Sequence, residues 1–290
     1  MRIKTILITG SSSGFGKTAV QLLLERGHTV IAAMRGGRSR LESLFAEELR
    51  IHSGRLHALD LHLEKPESLA EVLRRLEQNF DGHIDVLVNN AGYGLFGPLE
   101  DLTEDQLRLQ MEVNFFGPVL LARSLIPLLR RAKGRIINIS SIAGMVTVPF
   151  YGPYCASKFA LEAMSEALHY ELHSQGIEVT LIEPGGFRTE FMNAKVFSEK
   201  SMQPASLYHG AVQRLKALLD KSSPRLGNPA RVARLIVRRC EQERVPLRTL
   251  IGADARGMRL LQRLLPDSWR VGLIGALFRR FIFTNHARPN

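Results

Sequence analysis

The chain has few cysteines, a single tryptophan and no apolar stretch long enough to cross a membrane. Its two cysteines, Cys155 and Cys240, cannot supply the set of disulfides that stabilises a small secreted domain. A membrane-spanning helix needs about 18 consecutive apolar residues, and the amino terminus passes directly into a strand-like run that leaves no room for a signal peptide. We therefore expect a cytoplasmic protein.

The composition is that of one folded domain. Apolar residues make up 45% and charged residues 23%, a balance typical of a globular chain. The 290 residues suffice for one large α/β domain with an ample core. The net charge is +11, and residues 224–290 hold +10 of it, since they contain fourteen arginines, no lysine and four acidic residues. The positive charge is thus concentrated at the C-terminal end.

A glycine-rich turn joins the first predicted strand to the first predicted helix. Residues 3–9 form an apolar, β-branched run, and residues 14–26 place Val20, Leu23 and Leu24 on one helix face. Glycines in such a turn let the backbone approach a pyrophosphate, which the amino terminus of the helix attracts. The turn predicts a dinucleotide site formed by Gly10, Ser12, Ser13, Gly14, Phe15 and Gly16.

The end of this turn is similar to the end of the phosphate-binding loop (P-loop) of nucleoside triphosphatases, because Gly16 is followed by Lys17 and Thr18. That motif requires a glycine at position 11, where the chain has Ser11. The spacing fails, so a kinase or NTPase is disfavoured.

The second predicted strand, residues 29–34, ends at a basic residue. An acidic residue at this point would bind the ribose hydroxyls of NAD, whereas here Arg35 follows directly and Arg38 and Arg40 lie close by. A guanidinium pairs with a 2′-phosphate that a carboxylate would repel, so we expect NADP(H) to be preferred over NAD(H). The alternative is a basic loop that is merely solvated.

Two further strand ends predict cofactor contacts. The third strand, residues 56–59, ends at a carboxylate that can accept a hydrogen bond from the adenine amine. The fourth strand, residues 84–89, runs into small residues that let a backbone lie against the cofactor. These contacts are predicted at Asp60, Leu61, Asn90, Ala91 and Gly92.

A hydroxyl, a phenol and an amine lie within one short stretch of the chain. Ser141 follows a predicted buried strand, residues 135–139, and open parallel sheets bind ligands at the carboxyl ends of their strands. If Pro153 begins a helix, Tyr154 and Lys158 share one face, one turn apart. The ammonium then lowers the pKa of the phenol, which can act as an acid or base near neutrality. The alternative is a chance spacing on a solvated helix, against which Ser141 and the glycine-rich turn both argue.

Asn114 is the polar exception in a long, mostly apolar helix that begins at a capping pattern near residue 103. A buried asparagine needs hydrogen-bond partners. It therefore either bonds the backbone locally or holds a water near the site.

The order and spacing of these motifs resemble the short-chain dehydrogenase/reductase family over residues 3 to about 190. The resemblance implies an α/β fold class, namely a single-domain, Rossmann-type, doubly wound three-layer fold with a seven-stranded parallel sheet. It is carried by residues 9–16, residues 89–92, Asn114, Ser141, residues 154–158 and the pair Pro184 and Gly185.

The same resemblance implies roles for individual residues. Asn114, Ser141, Tyr154 and Lys158 match the family's catalytic tetrad, in which Lys158 also binds the nicotinamide ribose. Further cofactor contacts are implied at Tyr154, Pro184, Gly185 and Thr189. Arg35 is similar to the residue that selects NADP in the hydroxysteroid and retinol dehydrogenase branch. The helix after Tyr154 commonly pairs across a subunit axis in this family, which implies a homodimer or homotetramer.

The predicted function is an NADP(H)-dependent oxidoreductase that interconverts an alcohol and a ketone or aldehyde. Ser141 would hold the substrate oxygen while Tyr154 donates a proton to it and a hydride leaves the nicotinamide. The alternative is a non-catalytic, NADP(H)-sensing binding protein on the same fold. A sensor has no need to keep Ser141, Tyr154 and Lys158 together, which favours the enzyme.

The segment of residues 190–226 is predicted to be a substrate lid because it follows the turn at Pro184 and Gly185. Its apolar residues favour a lipophilic substrate of steroid, retinoid or long-chain type. They are Phe191, Met192, Phe197, Met202 and Tyr208.

The C-terminal end is predicted to be a basic amphipathic extension, residues 254–290, that follows a cofactor-binding domain of residues 1–253. Five apolar residues can share a helix face that either packs on the protein or lies on an anionic membrane, namely Leu273, Ile274, Leu277, Phe278 and Phe281. An acidic ligand is a further alternative. Nucleic-acid binding is not expected, because no nucleic-acid recognition motif accompanies the positive charge of this segment.

No metal site is predicted. His169 and His173 lie four residues apart on a predicted helix, but the sequence between them lacks the order of a zinc protease.

Overall fold

The computed structural model describes residues 2–190, 196–222 and 226–283. Its main strands are β1 (Thr5–Thr9), β2 (Thr29–Met34), β3 (Leu56–Asp60), β4 (Val86–Asn89), β6 (Arg135–Ile139), β7 (Glu178–Pro184) and β9 (Arg248–Ile251). They form one parallel sheet in the order β3-β2-β1-β4-β6-β7-β9. Two short strands, β5 (Leu95–Phe96) and β8 (Val196–Phe197), pair with each other outside it.

The helices connect these strands and cover both faces of the sheet. They are α1 (Gly14–Glu25), α2 (Gly37–Leu44), α3 (Ala46–Ile51), α4 (Pro66–Phe80), α5 (Glu104–Met111), α6 (Gly117–Ala132), α7 (Gly152–His173), α8 (His209–Ser222), α9 (Ala230–Glu241), α10 (Ala253–Leu264) and α11 (Asp267–Phe281). A π-helical segment, Glu112–Phe116, joins α5 to α6. Short 3-10 turns occur at Leu99–Asp101, Ile142–Gly144 and Lys200–Met202.

Strand β1 shows why the apolar runs of this sequence are continuous rather than alternating. Ile6 and Ile8 belong to the core under α1 and α9, whereas Leu7 belongs to the core under α4 and α6. Because successive side chains of a strand point to opposite faces, a sheet covered on both sides buries every residue of its central strands. The predicted three-layer, doubly wound fold with seven parallel strands is confirmed.

The topology brings the predicted motifs to one edge of the sheet. The chain runs outward from β1 through β2 to β3, and then returns to place β4 on the other side of β1. Ligands of open α/β sheets bind beyond the carboxyl ends of the strands at such a reversal. The cleft therefore lies where β1, β4 and β6 end, near Thr9, Asn89 and Ile139.

The sequence predicted six of the seven strands by pattern, and only the resemblance implied a seventh. That strand is β9, whose four residues are only partly buried until Ile251. A short, half-buried edge strand lacks the apolar run that marks a central strand. The fourth strand begins at Val86 instead of residue 84, although the Asp85 backbone still bonds the backbones of Thr5 and Arg135 on either side.

Helices α10 and α11 pack back onto the protein near the cleft. The Gln262 amide donates to the Met145 carbonyl at 3.1 Å, and the Arg214 guanidinium of α8 donates to the Ile282 carbonyl just after α11 at 2.6 Å. The C-terminal helices thus hold both the loop after β6 and the helix of the predicted lid. The division into residues 1–253 and 254–290 stays a prediction.

One continuous helix in the described part of the chain, Glu104–Ala132, is long and apolar enough to span a membrane by length and composition. Of its most apolar window, 44% is buried inside the protein. Its residues Leu121 and Leu125 pack in the core beneath the sheet, as in the core helix of a globular protein.

Candidate active site

Ser141, Tyr154 and Lys158 meet at the carboxyl end of β6. Ser141 begins the Ile142–Gly144 turn, and its hydroxyl accepts a hydrogen bond from the Ala143 backbone N–H at 3.1 Å. Pro153 lies in the first turn of α7, so Tyr154 and Lys158 occupy one face of that helix, as predicted. The Lys158 ammonium lies 5.8 Å from the centre of the Tyr154 ring. The hydroxyl, phenol and amine are therefore neighbours.

The three side chains are held tightly by the surrounding backbone and rings. Tyr154 and Lys158 are both 5% exposed. The Lys158 ammonium donates to the Ile139 carbonyl at 2.9 Å, which fixes it at the end of β6. Tyr151 stacks on Tyr154 with ring centres 4.3 Å apart. This packing preorganises the acid–base groups before any ligand arrives.

Burial sets the charge states of both groups. It raises the pKa of Tyr154 to about 12, although the hydrogen bond with Ser141 acts in the opposite direction. Burial also lowers the pKa of Lys158 to about 8, with the nearby Glu162 carboxylate opposing that shift. The expectation of a lowered pKa for the phenol is therefore wrong for this state, because burial of the phenolate is the largest effect on it. At neutral pH the Tyr154 phenol is therefore protonated and can act as an acid.

Asn114 lies in the π-helical segment and is 1% exposed. Its side-chain oxygen accepts from the Tyr93 N–H at 3.1 Å, and its amide donates to the Tyr93 carbonyl at 2.9 Å and to the Ser157 hydroxyl at 3.2 Å. The bonded backbone belongs to the loop after β4 and not to its own helix. A Cβ at Gly92 would lie 3.1 Å from the Asn114 oxygen and 3.8 Å from the Lys158 ammonium. Asn114 thus ties the loop after β4 to the helix that carries Lys158.

The glycine-rich turn forms a backbone cradle at the amino terminus of α1. Gly10 has φ +65°, and a Cβ there would lie 2.7 Å from the Ala91 Cα. A Cβ at Gly16 would lie 2.4 Å from the Gly10 carbonyl. Ser13 makes no side-chain hydrogen bond as the N-cap of α1, and the first turn contains no acidic residue. The cradle therefore fits a pyrophosphate, whose charge the helix dipole favours.

The cradle is fastened to the loop after β4. The Thr9 hydroxyl accepts from the N–H groups of Asn90 and Ala91, each at 3.0 Å. The Asn90 amide donates in turn to the carbonyls of Thr9 and Gly10. The predicted contacts Gly10, Asn90, Ala91 and Gly92 thus form one rigid floor. Phe15 closes one side of it by packing edge-on against Phe187.

The loops after β2 and β3 meet at Asp60. Its carboxylate accepts from the Gly36 N–H at 2.9 Å, which orders the turn that follows Arg35. Arg35 is exposed at the end of β2, whereas Arg38 is paired with Glu42 of α2 at 2.8 Å. Leu61 is buried, and its N–H donates to the Met34 carbonyl. Arg35 thus lies exposed at the carboxyl end of β2, whereas Arg38 is held by an ion pair within α2.

Thr189 and the turn at Pro184 and Gly185 lie opposite this cradle. The Gly14 N–H at the start of α1 donates to the Glu190 carboxylate at 3.0 Å, and a Cβ at Gly14 would lie 3.3 Å from the Thr189 Cβ. The segment after β7 thus reaches across to the first helix. The lid residues Phe191 and Met192 lie outside the described residues.

Several polar residues near the site escaped sequence analysis. The Asp254 carboxylate accepts from the Gly186 N–H at 2.6 Å and packs so closely that a Cβ at Gly185 would lie 2.1 Å from it. Glu162 and Glu183 are buried beside Lys158 and the turn at Pro184. The available signal was an acid at the end of an apolar strand, since Glu183 directly precedes Pro184.

Aromatic rings line the side of the cleft next to Tyr154. Phe96 stacks on Tyr151 with ring centres 4.0 Å apart and on Phe197 at 5.2 Å. Phe150 continues this wall and packs against Tyr208. A groove of about 1040 Å³ runs along the loop of residues 145–150 and is bounded on its other side by α11. The surroundings of the phenol are therefore mainly apolar.

Comparison with known proteins agrees with this geometry. Residues 4–200 match the family described as short chain dehydrogenase. A 3-ketodihydrosphingosine reductase of Bacteroides thetaiotaomicron is 37% identical over 253 residues, which cover 87% of this chain and 89% of that protein. Human retinol dehydrogenase 5 is 39% identical over 201 residues, 68% of this chain and 61% of that protein.

A solved short-chain dehydrogenase from Streptomyces avermitilis superposes with a TM-score of 0.78 at 36% identity, covering 93% of this chain and 94% of that one. The family match spans more than half of the chain, and it includes the glycine-rich turn, Ser141, Tyr154 and Lys158. Members of this family are oxidoreductases that use a nicotinamide cofactor. The chain belongs to the short-chain dehydrogenase/reductase family and is similar to its hydroxysteroid and retinol dehydrogenase branch.

Proposed function

We propose that this protein is an NADP(H)-dependent oxidoreductase that interconverts a lipophilic alcohol and its ketone or aldehyde. The observation that carries the proposal is the convergence of Ser141, Tyr154 and Lys158 beside a glycine cradle at the carboxyl edge of the sheet. Acid–base groups and a dinucleotide floor at one sheet edge are what coupled proton and hydride transfer requires.

Four side chains have separate roles in this proposed reaction, those of Ser141, Tyr154, Lys158 and Asn114. Bound NADP(H) supplies or accepts the hydride at its nicotinamide ring. In the reducing direction the Ser141 hydroxyl orients the carbonyl oxygen and the Tyr154 phenol donates its proton to that oxygen. Lys158 stabilises the phenolate that forms, because its ammonium lies close to the ring. Asn114 keeps the loop after β4 in register with α7.

Selection of NADP(H) is assigned to Arg35. It follows β2 at the point where the adenine ribose of a dinucleotide lies in this fold, and a guanidinium pairs with a 2′-phosphate. The pair of Arg38 with Glu42 leaves Arg35 as the better-placed partner. Asp60 orders the turn beside it.

A lipophilic substrate is supported by the aromatic wall of Phe96, Tyr151 and Phe197 and by the adjoining groove. The names of two relatives, a 3-ketodihydrosphingosine reductase and a retinol dehydrogenase, point in the same direction. The predicted lid agrees with this assignment, since Phe197 and Tyr208 both pack on the wall.

The protein is also proposed to be a cytoplasmic homodimer or homotetramer that contacts an anionic membrane. Phe116 and Phe159 are large, exposed side chains on the neighbouring helical elements, a pattern that suits contact with a second copy. Membrane contact rests on α11, where Trp269, Leu273 and Leu277 are 70%, 43% and 47% exposed beside several arginines.

Turnover with a matched pair of tyrosine variants tests the function. NADPH oxidation is followed against steroid, retinoid, long-chain and short aliphatic carbonyls for wild type, Tyr154→Phe and Tyr170→Phe, the last being an exposed tyrosine of the same helix. We expect reduction of an apolar carbonyl that Tyr154→Phe slows by about 100-fold or more and Tyr170→Phe leaves unchanged.

Fluorescence titration with NADPH and NADH completes this test. Tighter binding of NADPH is expected for wild type and both variants. Tighter binding of NADH would show that the role assigned to Arg35 is wrong. Binding of NADPH without turnover in either direction would favour the alternative, a cofactor-sensing protein.

A further inference from the structure

Two buried carboxyl groups lie close together beside Arg248, those of Glu162 on the helix α7 and Glu183 on the strand β7. Glu183 ends the apolar part of β7 and is 1% exposed, and Glu162 lies on α7 and is 6% exposed. Both carboxylates approach the same atom, the Nε of Arg248, at 3.0 Å from Glu162 and 3.8 Å from Glu183. Two ionised carboxylates held this close in a buried place repel each other, and one proton held by the pair removes that repulsion.

One guanidinium, that of Arg248, serves three carboxylates at this place. The Arg248 guanidinium of β9 lies 3.0 Å from Glu162, 3.8 Å from Glu183 and 2.7 Å from Glu166. Arg259 of α10 adds a weaker attraction to Glu183. The Oε1 atoms of Glu162 and Glu183 are both buried and lack a hydrogen-bond donor within the described ranges. A proton on the pair avoids burying two charged carboxylates side by side and supplies a donor where these oxygens have none.

The pair is connected to both halves of the active site. Glu162 follows Lys158 by one turn of α7, and its charge acts on the Lys158 ammonium. Glu183 directly precedes the turn at Pro184 and Gly185. The turn after Ser141 also packs closely against Glu162, since a Cβ at Gly144 would lie 3.0 Å from the Glu162 Cγ.

We propose that Glu162 and Glu183 are positioning residues that hold one proton between them, so that Glu183 is neutral and Glu162 stays ionised to keep Lys158 protonated. The consequence for the reaction rests on the proposed function, whereas the state of the pair does not. Burial is the main reason that Glu183 keeps its proton, and it raises the pKa of Glu183 to about 7. Without the Glu162 charge, desolvation of Lys158 is unopposed and its ammonium loses its proton at a lower pH.

Lysine NMR tests the link to Lys158 without any need for turnover. The protein is labelled at the lysine Cε carbons, and the Lys158 signal is assigned by its loss in Lys158→Met. We expect Lys158 to titrate about one pH unit lower in Glu162→Gln than in wild type. Glu183→Gln should leave the titration near that of wild type, because its amide can still donate to Glu162. Equal Lys158 titration in folded Glu162→Gln and wild type would overturn the proposal.

Glutamate NMR tests the shared proton in the wild-type protein itself. With carbon-13 at the side-chain carboxyls, one glutamate signal should titrate near neutrality in wild type and disappear in Glu183→Gln. Glu166→Gln is the matched control, since Glu166 also contacts Arg248 but is 40% exposed in its side chain. It should keep the neutral titration. Absence of any glutamate titrating between pH 6 and 8 in wild type would overturn the proposal even if a variant failed to fold.

The pH dependence of kcat/KM then tests the consequence for the reaction. The alkaline limb should move down by about one pH unit in Glu162→Gln and stay in place in Glu166→Gln. An unmoved limb in an active Glu162→Gln would show that the pair does not act through Lys158. If wild type turns over no substrate, the proposed function fails, while the two NMR titrations still decide the state of the pair.

Discussion

Burial of the Lys158 ammonium beside Tyr154 lowers the free energy of unfolding of the protein. Burial lowers the pKa of Lys158 from 10.5 to about 8, a difference that corresponds to about 3 kcal/mol. The folded-state pKa is the lower one, so the unfolded chain binds more protons between pH 8 and 10.5 and stability rises with pH across that window. Below pH 8 the full cost is present. The hydrogen bond to the Ile139 carbonyl offsets part of it.

Replacing Lys158 by methionine should therefore stabilise the protein while it abolishes activity. At pH 7 we expect a gain of roughly 1 kcal/mol in the free energy of unfolding, once the lost hydrogen bond is set against the removed desolvation cost. The gain should shrink toward pH 10. Urea unfolding at both pH values measures this, with the exposed Lys216→Met as control. A Lys158→Met protein less stable than wild type at pH 7 would contradict the account.

At the residue scale, sequence analysis identified groups whose spacing is local. The four-residue step from Tyr154 to Lys158 fixes a shared helix face as soon as α7 forms. Charge states could not be predicted in the same way, because they depend on burial by distant parts of the chain. Glu183 is such a case, since its partners Glu162 and Arg248 come from α7 and β9.

Helix α11 has apolar side chains on two sides. Ile274 lines the groove beside the loop of residues 145–150, and Phe278 packs on the cluster around Phe150. Leu273 and Leu277 are instead largely exposed. The predicted single face is divided in the structure, because a step of one residue turns the helix by about 100° and separates Ile274 and Phe278 from Leu273 and Leu277. The fifth predicted member, Phe281, has a side chain outside the described part of the chain. Ile274 and Phe278 form an inner stripe that packs on the protein. Trp269, Leu273 and Leu277 form an outer stripe that remains exposed and available to a partner.

Membrane binding can be tested on the outer stripe alone. Full-length protein with Trp269→Gln, Leu273→Gln and Leu277→Gln should lose sedimentation with liposomes that contain anionic lipid, since the apolar contact is removed while every arginine is kept. The control Leu207→Gln removes an exposed leucine from another surface and should bind as wild type does. Equal sedimentation of the triple variant and wild type would contradict membrane contact through α11.

Element boundaries were predictable where one strong local signal marks them. Helix α4 (Pro66–Phe80) begins at its proline, and α5 begins at a capping box of Thr103 and Gln106, which confirms the capping pattern predicted near residue 103. The π-helical segment Glu112–Phe116 carries no such signal. It forms where Asn114 bonds the Tyr93 backbone, a tertiary contact that local pattern does not contain.

At the scale of the whole molecule, the site is a product of strand order. Thr9, Asn90 and Ser141 come from three separate regions of the sequence and meet because β1, β4 and β6 are adjacent. Motif order was sufficient to predict that arrangement through the family resemblance. The packing of α10 and α11 over the cleft was not predictable, since it depends on contacts such as that of Gln262 with Met145.

Transfer of an isotope from cofactor to product tests the central claim most directly. NADPH carrying deuterium at the transferring carbon is supplied with the apolar carbonyl that wild type reduces best, and the alcohol is analysed by mass spectrometry. The account predicts one deuterium on the carbinol carbon of the product from wild type and Tyr170→Phe. Tyr154→Phe should form about 100-fold less labelled product in the same time although it still binds NADPH. Unlabelled alcohol, or labelled alcohol formed as fast by Tyr154→Phe as by wild type, would contradict it.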